Sequence, residues 1–84
     1  MEQIIASLTF ASEATNMMQA IVGLTQAQEL HNANRFHGEV RKAIDIALHT
    51  TRNNENMNVV MQYTNDALET AINCWELYKA GKLN

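Results

Sequence analysis

The sequence predicts an all-α fold: an up-down-up antiparallel bundle of three helices over residues 2–22, 26–50 and 55–80, forming a single domain across 1–84. Three observations predict it. Apolar residues recur at alternating steps of three and four along three long stretches. There is no proline, the residue that breaks helix interiors and central strands alike. The breaks between the periodic stretches are short, and short connections make consecutive helices antiparallel neighbours.

The first stretch carries Ile4, Leu8, Ala11, Thr15, Met18 and Val22 on one face. Gly23 reads as its stop, and Thr25 with Gln28 three residues on reads as a capping box for the next helix. The second stretch carries Leu30, Ala33, His37, Val40, Ile44 and Ala47. It ends in "TTRNNEN", whose Asn and Thr side chains compete for backbone hydrogen bonds. Asn53 or Asn54 then caps the third helix, with Glu55 in its first turn. Its face is Met57, Met61, Thr64, Leu68, Ala71, Trp75 and Tyr78, and Lys79 with Gly81 closes it.

Gly38 interrupts the best-patterned run, "NRFHGEVRKAIDIALHT". A glycine inside a helix costs about 1 kcal/mol relative to alanine. Three accounts meet that cost: close approach of a partner's backbone, a break near Gly38 that makes four helices in all, or simple tolerance. The four-helix form is the alternative architecture.

The function classes are bounded by what the chain contains. A net charge of −3 gives the whole molecule no attraction for nucleic acid or an anionic membrane. No apolar run approaches the roughly 20 residues that span a bilayer, and the Met-Glu start lacks the positive charge of a signal peptide. Cys74 is the only cysteine, which suits a reducing cytoplasm and reads as a small buried hydrophobe. His31, His37 and His49 form no i, i+4 pair, so no metal site is expected. No nucleophile–base pattern or phosphate loop stands out, so neither an enzyme nor a cofactor is expected.

Apolar surface exceeds what a three-helix core covers. On the third helix the apolar arc spans roughly 220°, where a core-facing stripe needs a little over 100°. The first helix shows the same excess. Phe10, Met17, Val59, Tyr63 and Leu77 are therefore expected to form a protein interface, for a second copy of the chain or for another protein. The expected function is a non-enzymatic interaction module, an adaptor, inhibitor or assembly factor. A short Asn-rich chain of this kind also has the style of phage and mobile-element accessory proteins.

The alternative function is nucleic-acid binding. His31, Arg35, Lys42, His49 and Arg52 fall within about 100° of one another on the second helix, a row able to track phosphates. His37 sits on the apolar face instead. If buried neutral there, it would act as a pH-sensitive packing element, because acid must charge it.

Overall fold

Residues 13–16 end the first helix in the middle of the stretch expected to be continuous. A computed structural model describes residues 1–53 and 56–82. It contains four α-helices and, among the described residues, no strand: α1 (Glu2–Ser12), α2 (Met17–Asn34), α3 (Gly38–Asn53) and α4 (Met57–Lys79). The three-helix bundle is thus corrected to four helices, the number in the alternative architecture.

The first break is built by side chains competing for the backbone. Asn16 caps α2 by accepting from the Gln19 N–H at 3.0 Å. The Gln19 side-chain Oε1 accepts from the Thr15 N–H at 2.8 Å and from the Thr15 hydroxyl at 3.0 Å. This is a reciprocal cap, and it stops α1 and starts α2 within four residues. The break expected at 23–25 is absent, because α2 runs through it. Gly23 is instead a contact: a Cβ there would lie 2.7 Å from the Ala11 Cβ and 2.9 Å from the Ser7 carbonyl oxygen. The α1 and α2 backbones approach this closely because both residues are small.

The second break lies at residues 35–37, beside Gly38. Arg35 ends α2 in the left-handed region, φ 45° and ψ 56°. His37 precedes α3, and its Nδ1 accepts from the Glu39 N–H at 3.2 Å. Gly38 is the first residue of α3, with nothing within 4 Å of where its Cβ would be. Of the three accounts of Gly38, the helix break is the one the fold uses. At the third boundary the cap is Asn56, accepting from the Asn58 N–H at 2.9 Å. Asn54 and Glu55, expected there, lie outside the described residues.

Consecutive helices pack on each other, α1 also packs on α4, and α2 touches α4 across the diagonal. The four helices close around Ile4, Leu8, Leu24, Val40, Ile44, Leu48 and Val60, filled in with Ala11, Ala20, Ala27, Ala47, Ala67 and Ala71. The second break shifts the buried face. Ala33, placed on the apolar face by sequence, is exposed, and His31 is buried. Likewise Thr15, Met18 and Val22 leave the core once the chain turns at 13–16, and Ala20, Leu24 and Ala27 take their place. No described helix is long and apolar enough to cross a membrane.

Candidate functional site at the α2–α3 corner

Three helix ends and the start of α1 meet at one end of the bundle. The corner residues 35–37 lie between them. His31, on the last turns of α2, is 4% exposed. Its Nε2 lies 2.8 Å from the His37 carbonyl oxygen and 3.1 Å from the His37 N–H. One tautomer donates to the carbonyl, and the other accepts from the N–H. Either way the ring clamps the backbone that starts α3. The Nδ1 of the same ring is buried and has no hydrogen-bond partner among the described residues.

Above this clamp opens a cleft of about 690 Å³ lined by His31, Arg35, His37, Gly38 and Arg41. First-turn N–H groups of a helix have no intrahelical partner and carry partial positive charge. Arg35 and Arg41 both line this cleft beside the start of α3, where Gly38 carries no side chain and the Glu39 N–H is already held by the His37 ring. Arg41 also reaches Asp45 at 3.7 Å, a loose pair with both side chains well exposed, and such pairs hold little energy.

An aromatic step adjoins the cleft. Phe36 meets Tyr78 and Trp75 edge-on, at 5.5 and 6.2 Å between ring centroids. Trp75 and Tyr78 stack with their planes 10° apart. Phe36 packs against the core, whereas Tyr78 is 55% exposed. The Lys79 ammonium sits 5.6 Å from the Trp75 ring and also pairs with Glu76 at 3.2 Å. Sequence reasoning missed this step. Its signal was the i, i+3 spacing of Trp75 and Tyr78, which were assigned to the core face instead.

The residues expected to form a basic row are dispersed. His31 leaves it for the interior, and Arg35 becomes the α2 cap. Lys42, His49 and Arg52 stay exposed on one side of α3. His37 is half-buried, and its ring caps α3 rather than lying in the core face as expected. Among the described residues no group of three His, Cys, Asp or Glu is arranged to hold a metal. Cys74 is buried, and burial and then the nearby Glu39 charge push its thiol pKa up.

The five residues expected to form one interface divide between two sides of the bundle. Phe10 is 50% exposed and lines an outer groove between α1 and α2 with Ala6, Gln26 and Leu30. Met17 is half-buried. On α4, Val59, Tyr63 and Leu77 share one flank of the core line, and Trp75 lies on the other. Trp75 faces the start of α1, so the Tyr63 flank turns toward α3. There Ile46 is 44% exposed, and the antiparallel register of α3 and α4 sets it level with Tyr63. Tyr63 and Leu77 are exposed and Val59 is half-buried.

No family model matches the chain, and neither a curated protein nor a solved structure matches it.

Proposed function

We propose that this chain is a non-enzymatic protein-interaction module that pairs with a second copy of itself through the α3–α4 flank around Ile46, Tyr63 and Leu77. One observation supports the reading above the others. The core is closed without these side chains, yet Ile46 and Tyr63 stay 44% and 39% exposed at matching heights on neighbouring helices, and Leu77 stays 43% exposed about four turns further along α4. Exposed apolar residues standing alone are ordinary, but residues in register on adjacent helices form a patch. Phe10, in its groove with Gln26 and Leu30, offers a second, separate surface for another protein. Adaptor, inhibitor and assembly roles all fit this reading, as does a reducing cytoplasmic setting for the lone buried thiol.

Light scattering of the full chain over a range of concentrations tests it. Wild type is expected to move from monomer to dimer, and Tyr63→Glu is expected to stay monomeric with unchanged helical circular dichroism. A wild type that remains monomeric throughout, or a Tyr63→Glu chain that still pairs, sinks the proposal.

A further inference from the structure

The α2–α3 corner is unused by that interface, and two imidazole rings hold it in place. The His37 Nδ1 accepts from the Glu39 N–H at 3.2 Å, so it must be free of a proton. The His31 ring is 4% exposed, and its Nε2 holds the His37 backbone. A second proton on this ring costs a contact in either tautomer. Placed on Nε2, it ends acceptance from the His37 N–H. Placed on Nδ1, it becomes a buried donor with no acceptor among the described residues.

The charge itself finds no partner there. Arg35 from α2 and Arg41 from α3 line the same cleft as both rings, and the first turn of α3 is the positive end of its dipole. The acids nearby are engaged or stand apart. Asp45 is taken by Gln28 and Arg41, and Glu76 on α4 pairs with Lys79. Glu39 sends its charge toward Cys74 on α4. From α1, the Met1 amine and Glu2 border Asn34 and Trp75. Among the described residues no carboxylate bonds to either ring.

We propose that this corner is an acid-released latch: the uncharged rings of His31 and His37 hold the first turn of α3, and charging them frees that turn and lifts Phe36 off Trp75 and Tyr78. Phe36 precedes His37 in the chain and stands edge-on to both aromatic rings, at 6.2 and 5.5 Å, so loosening its backbone uncovers an apolar end of the bundle. The opened corner binds protons that the closed one excludes. The closed form is therefore complete near pH 8 and is lost toward pH 5, the range in which an imidazole ordinarily charges. Ile46, Tyr63 and Leu77 take no part, so the latch stands apart from the pairing surface.

Trp75 is the only tryptophan, and its emission reports the departure of Phe36. The full chain at one concentration is taken from about pH 7.5 to about pH 5, and its urea midpoint is measured at both ends. A reversible change in emission is expected, with the folded-to-unfolded ratio falling about tenfold for each ring charged. His37→Asn supplies an uncharged cap and is expected to remove part of this difference. His31→Gln combined with His37→Asn is expected to remove nearly all of it. His49→Gln, exposed on α3, is expected to keep it whole. An unchanged wild type, a full difference in the double variant, or its loss in His49→Gln overturns the proposal. If the double variant does not fold, proton titration of the wild type by NMR decides. The two rings are then expected to charge together with a shift of the His37 and Glu39 amides, and rings that charge with those amides unmoved overturn the latch.

Discussion

Single residues at the two breaks were misplaced by a period carried too far. His31 and His37 exchange surroundings relative to the sequence reading: the first is buried, and the second caps a helix at the surface. A left-handed residue at Arg35 redirects the chain, and nothing in "NANRFHG" marks an arginine for that conformation. Cys74 was legible, since a small apolar residue beside a helix face is usually core. Its thiol yields a pH prediction. The folded-state pKa is raised above the ordinary value of 9.0, first by burial and then by Glu39. The neutral thiol is favoured by the fold, so stability is full below pH 9 and falls as pH rises beyond it. Urea midpoints are expected to drop between pH 8.5 and pH 10, and to drop less in Cys74→Ala. Equal drops in both chains would remove Cys74 from the account.

At the level of elements, two capping patterns compete in the first third of the chain. Asn16 with Gln19 and Thr25 with Gln28 have the same spacing. Only the first makes a cap, because Leu24 and Ala27 continue the buried line of α2 past Thr25. A local signal cannot tell which of two equal patterns packing will use. The two helical glycines then separate by experiment. Gly23→Ala forces a methyl into Ala11 and Ser7 and is expected to cost about 1–3 kcal/mol by overpacking. Gly38→Ala meets open space in a backbone that alanine accepts, and is expected to gain roughly 0.5–1 kcal/mol. Chemical denaturation of both variants checks this, and destabilisation by Gly38→Ala would mean the helix start is not as described.

For the whole molecule, the accessible surface of 5201 Å² is close to the ~5,000 Å² of a typical folded monomer of this mass. The chain therefore satisfies its own core, and any pairing uses surface rather than an open interior. Neighbouring positions should show the contrast. Leu8→Ala, fully buried, is expected to cost about 2–5 kcal/mol. Phe10→Ala, half exposed on the same helix, should change stability by no more than about 0.5 kcal/mol. Against a total stability of roughly 4–13 kcal/mol, the first loss is expected to show as a clear drop in the urea midpoint. A Phe10→Ala chain as unstable as Leu8→Ala would place Phe10 in the core.

The all-α class, the last helix and the surplus of apolar surface were determined by the sequence alone. Periodicity and the absence of proline act within single segments, whatever those segments touch. The number of helices, the side that each buries and the meeting of Arg35, Arg41, His31 and the aromatic step were decided by tertiary structure. Each of these depends on where the chain turns, and the turns are set by caps and close contacts. Every turn then rotates the helix that follows, so residues a period groups together are separated, and residues far apart in the chain converge at one end.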